Sequence, residues 1–164
     1  RFRRGIDPVM RFASIRLFAL LLPLALLAGA YGSQYLGGLY PCEMCWWQRY
    51  PHFAAVPVAA LAFLIPNKGM QRVLVAFAAF AILTSGVIGG YHAGVEYGWW
   101  KGLTTCSSSI GGGDVLKSIM EAPLIRCDVA PWTLFGISLA GYNFLLSFGG
   151  GVAILAGLWR NPKN

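Results

Sequence analysis

The chain has 164 residues, of which 57% are hydrophobic and 12% are charged, and its mean hydropathy is +0.59. A soluble domain carries about 25% charged residues, so this composition excludes an ordinary water-soluble protein and indicates a membrane protein. The net charge is +7, but the basic residues concentrate near the two ends and around residue 70, whereas five of the six acids lie elsewhere. We therefore interpret the charge as a topology signal and expect no nucleic-acid partner.

The first apolar stretch follows Met10, which opens a segment typical of a natural amino terminus. Whether residues 1–9 are native or an artefact of the start site stays open. The apolar run is longer than that of a cleaved signal peptide, and three more apolar stretches follow it. We therefore expect a membrane anchor that stays in the protein.

Four stretches in all are long enough to cross about 30 Å of hydrocarbon as helices. They cover residues 15–36, 45–65, 72–93 and 132–158. Lys68 and Arg72 mark the short connection 66–71 as cytoplasmic, and the same positive-inside rule places both termini in the cytoplasm. The sequence predicts an all-α, single-domain bundle of four transmembrane helices over residues 1–164, whose loops 37–44 and 94–131 share the opposite face.

Small residues recur at intervals of four in two of these stretches. They are Gly86, Gly90 and Gly94 in the third stretch, and Gly29, Ser33 and Gly37 in the first. Because small residues let helices approach closely in lipid, we expect these positions to mark helix contacts.

Four cysteines lie on the predicted outer face. Cys42 and Cys45 form a Cys-x-x-Cys motif, whereas Cys106 and Cys127 are widely separated in the long loop. Structural zinc usually takes two closely spaced pairs, and a Cys-x-x-Cys disulfide closes too small a loop to stabilise much. A structural Cys106–Cys127 disulfide is compatible with an oxidising compartment. We favour redox chemistry, in which one thiol attacks and the other resolves a mixed disulfide, and we expect no metal.

Arg49 follows Cys45 by one helical turn at the start of the second predicted span. The helix amino terminus and the guanidinium both favour a thiolate at Cys45. An arginine at this depth is costly and marks a functional site, although its side chain can also extend to lipid headgroups. The second cysteine pair suggests thiol–disulfide exchange, and the depth of Cys45 favours a membrane-soluble electron acceptor such as a quinone.

From about Met10 onward, the chain resembles the bacterial inner-membrane DsbB family of thiol oxidases, quinone reductases that reoxidise the periplasmic oxidant DsbA. The resemblance rests on the four spans, on "PCEMCWWQR" at the second span, on "YHAGVE" at the end of the third, and on the second cysteine pair followed by "CDVAPWTLFGISLAGYN". The Cys-x-x-Cys motif alone is weak, but the combination is specific.

This resemblance implies an electron path. Cys106 would bond to a DsbA-like thioredoxin-fold partner in the periplasm, Cys127 would attack Cys42, and Cys45 would become the thiolate that contacts the quinone. The acceptor would be the membrane pool of ubiquinone or menaquinone. The protein would then be a thiol:quinone oxidoreductase of the Gram-negative inner membrane that supports disulfide bond formation.

The resemblance also implies a quinone-binding set comprising Arg49, His92, Gln48 and Trp46. The alignment of His92 is less firm than that of Arg49, and an interfacial polar role for His92 stays open. His52 departs from the family pattern, and we interpret it as structural. The other tryptophans at this end are expected to form an interfacial belt, namely Trp47, Trp99, Trp100 and Trp132.

In the long loop, the three glycines 111–113 predict mobility beside Cys106. Residues 114–125 place apolar side chains at helical spacing, which suggests a short helix lying parallel to the membrane or packed on the bundle.

Three alternatives stay open. They are a DsbB paralogue dedicated to one partner, a vitamin K epoxide reductase-like enzyme, and a non-enzymatic four-span scaffold with structural disulfides. The Cys-x-x-Cys motif opens the second span here, whereas in the vitamin K enzymes it belongs near the end of the bundle.

Overall fold

The computed structural model describes residues 8–104, 106 and 125–160, with side chains from residue 12 onward. These residues form four helices and one small hairpin, in the order α1 (Pro8–Tyr35), α2 (Glu43–Leu64), α3 (Lys68–Glu96), β1 (Thr133–Leu134), β2 (Ile137–Ser138) and α4 (Leu139–Arg160). The fold is therefore almost entirely helical, in agreement with an all-α membrane protein. Residues 114–124 of the helix predicted at 114–125 lie outside the described residues.

Within the described residues, three helical segments are long and apolar enough to cross a membrane. They are Phe12–Tyr35, Lys68–Glu96 and Leu139–Arg160. Helix α2 is not among them, because its first half carries Gln48, Arg49 and His52. All three side chains are at least nine-tenths buried, so the polar part of α2 faces the other helices rather than the surroundings.

The ends of α2 and α3 are set by side-chain caps. Cys42 is the N-cap of α2, and its Sγ accepts the Cys45 N–H at 3.2 Å. Asn67 is the N-cap of α3, and its Oδ1 accepts the Met70 N–H at 2.9 Å. Helix α3 thus begins at Lys68, and the connection from α2 is only residues 65–67, shorter than the predicted 66–71.

Two arginines connect helices at the end of the bundle where α2 and α4 finish. Arg16 donates to the Ala62 carbonyl at 3.1 Å near the end of α2 and lies 4.2 Å from the ring centroid of Phe63. Arg72 donates to the Leu158 carbonyl in the last turns of α4. Because the carboxyl end of a helix carries partial negative charge, both cations stabilise the ends they contact.

Helices α3 and α4 approach each other closely at glycines. A Cβ on Gly86 would lie 2.7 Å from the Phe148 backbone nitrogen, and one on Gly90 would lie 2.9 Å from the Phe144 ring. The predicted helix contact is confirmed at these two positions. It is wrong for Gly29, where an added Cβ would meet no atom within 4 Å.

The start of α4 differs from the predicted span 132–158. The helix begins at Leu139, because the residues before it form an antiparallel hairpin of β1 and β2. The two turn residues, Phe135 and Gly136, have φ values of 50° and 77°. Positive φ at both central positions is typical of a two-residue hairpin turn and incompatible with a right-handed helix.

Two buried clusters lie at the two ends of α2. The apolar core toward its carboxyl end consists of small and branched residues, namely Ala19, Ala55, Ala59, Ala62, Val75, Ala78, Ala79, Ile82, Ile154 and Leu158. The second, which we term the cysteine cluster, comprises Cys42, Met44, Val95, Cys106 and Cys127. The fold thus gathers residues from both predicted outer loops at the amino end of α2.

Candidate active site

The structure brings the two predicted cysteine pairs together. Cys106 and Cys127 form a disulfide, whereas Cys42 and Cys45 are free thiols whose sulfurs lie 2.7 Å apart. The Sγ atoms of Cys42 and Cys127 lie within 4.8 Å of each other. This separation is short enough that a small movement would allow thiol–disulfide exchange between the pairs.

The Cys106–Cys127 disulfide is buried, and a backbone hydrogen bond also joins its two cysteines. The Cys127 N–H donates to the Cys106 carbonyl at 2.9 Å, and Thr104 Oγ1 lies 2.8 Å from the Cys106 sulfur. Cys106 is only 7% exposed and Cys127 is fully buried. Cys106 is therefore not accessible in this structure, and the glycines 111–113 that predict mobility beside it lie outside the described residues.

An ion pair flanks Cys127 in the chain. Arg126 donates to both carboxylate oxygens of Asp128, at 2.8 and 2.6 Å. The Arg126 guanidinium holds the pKa of Asp128 below its ordinary value. Because the two opposite charges lie together, the pair adds no net charge beside Cys127.

The surroundings of Cys42 favour its protonated form. The hydrogen bond to the Cys45 sulfur and the burial of the side chain raise the pKa of Cys42 far above its ordinary value. The bond from the Cys45 N–H, at the amino end of α2, acts in the opposite direction but is weaker. Either sulfur can donate in the contact between them, and the raised pKa of Cys42 favours the arrangement in which Cys42 is the donor.

His92 lies between the two cysteine pairs. Its Nδ1 is 2.8 Å from Gln48 Nε2, and its Nε2 is 3.2 Å from the Cys127 carbonyl and 3.6 Å from the Cys42 sulfur. Gln48 Nε2 also donates to the Met44 carbonyl, which fixes the amide orientation. Because an amide nitrogen only donates, His92 Nδ1 is the acceptor and Nε2 carries the hydrogen. That hydrogen is available to the Cys127 carbonyl and the Cys42 sulfur.

Glu96 is a site residue that sequence reasoning missed. Its Oε1 lies 3.7 Å from His92 Nε2, and both side chains are only 2% exposed. Its Oε2 has no hydrogen-bond partner among the described residues. An acid one helical turn after a histidine at the end of an apolar span was the available signal.

Arg49 is buried and fixed to α1. It donates from Nη1 to Gln34 Oε1 at 2.7 Å and from Nη2 to the Ala30 carbonyl at 3.2 Å. Its guanidinium carbon lies 4.9 Å from the ring centroids of both Tyr31 and Trp46. Extension toward lipid headgroups is therefore wrong for this residue. Gln34 and Tyr31 were missed because the sequence does not reveal which face of α1 meets α2.

A cavity of about 440 Å³ opens beside these residues. Its apolar wall comes mainly from α1 and α4, and its lining includes Leu22, Ala25, Leu26, Leu27, Gly29, Leu139, Ala140 and Leu146. Its polar lining includes Cys45, Gln48, Arg49, His52, His92 and Glu96. A mostly apolar cavity with a few convergent polar groups is typical of a small-molecule site. Cys45 is the one of the four cysteines that lines it, and Trp46 contacts Arg49 without lining it.

Asn143 connects the cavity wall to the helices behind it. Its Nδ2 donates to Gln48 Oε1 at 2.9 Å and to the Ser85 carbonyl at 3.2 Å. It therefore joins α4 to α2 and α3 and orients the amide that contacts His92. Sequence reasoning did not select Asn143, although an asparagine in an apolar helix is a recognisable signal.

Three potential metal donors also meet in this region. Atoms of Cys42, His92 and Cys127 lie within 4.8 Å of one another. The Cys127 sulfur, however, is bonded to Cys106. In this redox state the group offers two donors, fewer than the four of a structural zinc site.

Comparisons with known proteins agree with this chemistry. The family model "Disulfide bond formation protein DsbB" matches residues 12–157. Disulfide bond formation protein B of Verminephrobacter eiseniae is 32% identical over 150 residues, which cover 85% of this chain and 81% of that protein. The protein of the same name from Albidiferax ferrireducens is 31% identical over 157 residues, or 87% of this chain and 85% of that protein.

An uncharacterized protein of Rickettsia prowazekii is 24% identical over 143 residues, which cover 84% of this chain and 82% of that protein. No solved structure matches. Since the family model covers most of the sequence, the chain belongs to the DsbB family of disulfide bond formation proteins.

Proposed function

We propose that the protein is a thiol:quinone oxidoreductase. It reoxidises a DsbA-like thioredoxin-fold protein in the periplasm and passes two electrons to a membrane quinone, ubiquinone or menaquinone. The observation that carries the proposal is the position of the inner pair, Cys42 and Cys45, between the outer disulfide and the cavity. Cys42 lies within 4.8 Å of Cys127, and its neighbour Cys45 lines the cavity.

Electrons enter at the outer pair. A thiolate of the reduced partner attacks Cys106, the Cys106–Cys127 bond breaks, and Cys127 leaves as a thiolate. Cys127 then attacks Cys42 of an oxidised Cys42–Cys45 pair and releases Cys45. When the second partner thiol resolves the bond to Cys106, Cys106 reforms its bond with Cys127 and returns Cys42 as a thiol. The partner has then lost two electrons and two protons, and Cys42 and Cys45 hold them.

His92 assists this exchange through its Nε2–H. When Cys106 displaces Cys42 from Cys127, negative charge develops on the Cys42 sulfur, which lies 3.6 Å from His92 Nε2. A donor held at that position stabilises the leaving thiolate. The Gln48 hydrogen bond keeps the histidine in the tautomer that donates there. We therefore assign His92 to the exchange between pairs as well as to the border of the quinone cavity.

The cavity fits a quinone as an electron-accepting substrate. Its volume of about 440 Å³ lies within the usual range of small-molecule sites. Leu22, Leu26 and Leu146 offer an apolar wall for an isoprenoid tail. Arg49 uses two nitrogens on Gln34 and Ala30, and a guanidinium has five N–H donors, so donors remain for a quinone oxygen.

Reduction of the quinone balances with oxidation of the inner pair. Cys42 and Cys45 form a disulfide, and their two electrons and two protons become two O–H bonds on the quinone. Arg49 stabilises negative charge as it develops on the oxygen nearer Cys45. The combination of an outer disulfide with an inner dithiol is the state expected after exchange and before the quinone is reduced.

The same proposal places all four helices across the bacterial inner membrane. The cysteine cluster would face the periplasm, and the end held by Arg16 and Arg72 would face the cytoplasm. Helix α2 crosses despite its polar first half because its polar side chains are buried against the other helices.

The test uses the full chain in detergent, a reduced thioredoxin-fold partner and a short-tailed ubiquinone analogue. Quinone absorbance and partner thiols are followed together. One quinone should be reduced for each partner dithiol oxidised, and Cys45→Ser should abolish the reaction. A scaffold with a structural disulfide would leave both signals unchanged, and that result would reject the proposal.

A further inference from the structure

Two residues that line the cavity each carry a polar side-chain atom without a partner. Among the described residues, three buried side-chain atoms have no hydrogen-bond partner: Arg16 Nε, His52 Nδ1 and Glu96 Oε2. His52 and Glu96 both line the cavity. A buried polar atom without a partner costs free energy, so one beside a cavity indicates a polar atom of the ligand.

The protonation of His52 follows from its neighbours. Its Nε2 faces three oxygens: Ser85 Oγ at 2.9 Å, Ser147 Oγ at 3.2 Å and Asn143 Oδ1 at 3.2 Å. Ser85 Oγ donates to the Gln48 carbonyl at 2.7 Å, and Ser147 Oγ donates to Asn143 Oδ1 at 2.7 Å. A hydroxyl has a single hydrogen, so both hydroxyl oxygens can only accept from the imidazole. His52 Nε2 therefore carries the hydrogen.

In a neutral imidazole with its hydrogen on Nε2, the other nitrogen is an acceptor. His52 is 3% exposed, so water does not satisfy its Nδ1 from the surface. Because His52 is one of the residues that line the cavity, a ligand bound there can supply a donor to this acceptor once it displaces the atoms that now cover Nδ1. A quinone offers only carbonyl oxygens, which accept, whereas the quinol offers hydroxyl groups, which donate.

We propose that His52 Nδ1 accepts a hydrogen bond from one hydroxyl of the quinol, so that the cavity binds quinol more tightly than quinone. The inference rests on the proposed function and names the form of the substrate that this site favours. Along α2, each of Cys45, Arg49 and His52 lies about one helical turn after the one before it, and all three line the cavity. One quinol oxygen therefore lies near Cys45 and Arg49, and the other lies deeper, at His52.

Such a preference changes the driving force of the reaction. As Cys42 and Cys45 form their disulfide, two O–H bonds form on the quinone, and one of them supplies the donor that His52 lacks. Tighter binding of the product raises the reduction potential of the bound couple. A tenfold preference corresponds to about 30 mV for a two-electron couple. The same contact slows quinol release.

The experiment measures equilibrium binding rather than turnover. In a Cys45→Ser background, which prevents turnover, the dissociation constants of a short-tailed ubiquinone and its quinol are measured anaerobically by tryptophan fluorescence. The His52→Gln variant keeps an amide N–H that can donate to Ser85 and Ser147, but it lacks the acceptor nitrogen Nδ1 of the ring. We expect its quinone-to-quinol ratio of dissociation constants to fall about tenfold, through weaker quinol binding.

Ser147→Ala is the matched control. Ser147 is fully buried and contacts His52 but does not line the cavity, so its loss should leave the ratio unchanged. An unchanged ratio in His52→Gln, or an equal fall in Ser147→Ala, would overturn the assignment of His52. If the Cys45→Ser protein bound neither form, the proposed quinone site itself would be rejected.

A ligand-side measurement avoids any change at His52. The dimethyl ether of the quinol has no hydroxyl donors. With His52 intact, this ether should bind about tenfold more weakly than the quinol. Equal affinity for the ether and the quinol would contradict the proposed hydrogen bond.

Discussion

Asn143 Nδ2 donates a hydrogen bond to Gln48 Oε1 at 2.9 Å, and through this contact α4 orients a side chain of α2 that in turn contacts α3. Gln48 Nε2 is thereby directed at His92 Nδ1. The three residues form a line of contacts: Asn143 orients the Gln48 amide, and Gln48 in turn selects the tautomer of His92. The surroundings of Cys42, which His92 contacts, therefore depend on a residue three contacts away.

The first prediction concerns Asn143. Asn143→Leu removes the donor to Gln48 and leaves buried polar groups unpaired, which should destabilise the fold by about 1–3 kcal/mol. The rate of exchange between the cysteine pairs should fall as well, because the Gln48 amide then keeps only its bond to the Met44 carbonyl and holds the His92 tautomer less firmly. Thermal unfolding in detergent and rapid-quench alkylation would measure the two effects.

Thr84→Val provides the control for Asn143. Thr84 lies in the same helix as His92, but among the described residues its hydroxyl bonds only to the Phe80 carbonyl of that helix. Its replacement should change stability by less than about 0.5 kcal/mol. An Asn143→Leu protein that resembled Thr84→Val in both measurements would contradict the role of the line from Asn143 to His92.

The second prediction separates the charge of Arg49 from its geometry. Arg49→Lys keeps the charge but loses the planar fork, so it should retain some activity with a raised KM for quinone. Arg49→Ala should lose more activity and also melt at a lower temperature, because the side chain bridges α1 and α2. Steady-state quinone titration and thermal unfolding would measure both.

Gln34→Leu isolates the bridging role, because Gln34 contacts Arg49 without lining the cavity. It should lower the melting temperature while leaving most of kcat. An Arg49→Ala enzyme with unchanged KM and kcat for quinone would make Arg49 a purely structural residue.

The sequence could predict the part of the candidate site that lies within one segment of the chain. Cys42, Cys45 and Arg49 follow from a local motif, because their spacing alone places them together at the start of a helix. From sequence alone, an arginine at this depth is expected to add little to packing. That expectation is wrong, because its partners Gln34 and Ala30 belong to another helix.

What the sequence could not supply are relationships that depend on how helices are rotated against each other. The cluster around His52 joins residues of α2, α3 and α4, and no periodicity in one helix reveals its neighbour in another. The late start of α4 arises from Phe135, whose positive φ is uncommon for a residue other than glycine. Glu96, in contrast, was visible as an acid in an apolar stretch.

The third prediction concerns the partner. Cys127→Ser, mixed with the oxidised partner, should accumulate a mixed disulfide with it. The Cys106 thiolate attacks the partner's disulfide and releases one partner thiolate, and Cys127 is not there to displace the partner from Cys106. A nonreducing gel should show a band shifted by the mass of the partner. Cys106→Ser should show no such band but should leave Cys42 and Cys45 oxidisable by quinone. Equal partner adducts in both variants would place the first attack elsewhere.

The fourth prediction tests the contact between α3 and α4. Gly86→Ala would bring a methyl group to 2.7 Å from the Phe148 backbone nitrogen, so the helices must separate. The fold should lose about 1–3 kcal/mol, measured by unfolding in detergent. Gly149→Ala is the control, because no atom lies within 4 Å of its added Cβ, and it should be neutral or slightly stabilising. Similar melting temperatures for the two variants would contradict the close approach.

The central claim is that electrons pass between the pairs through Cys42 and Cys127. The direct measurement uses the double variant Cys45→Ser with Cys106→Ser, in which these two thiols remain within 4.8 Å of each other. After mild oxidation, thiol alkylation and mass spectrometry should find a Cys42–Cys127 disulfide. The matched variant that retains Cys45 and Cys127 should cross-link far more slowly. Recovery of Cys42 and Cys127 as two alkylated thiols, under conditions that fully oxidise the Cys106–Cys127 pair of the unmodified protein, would contradict the account.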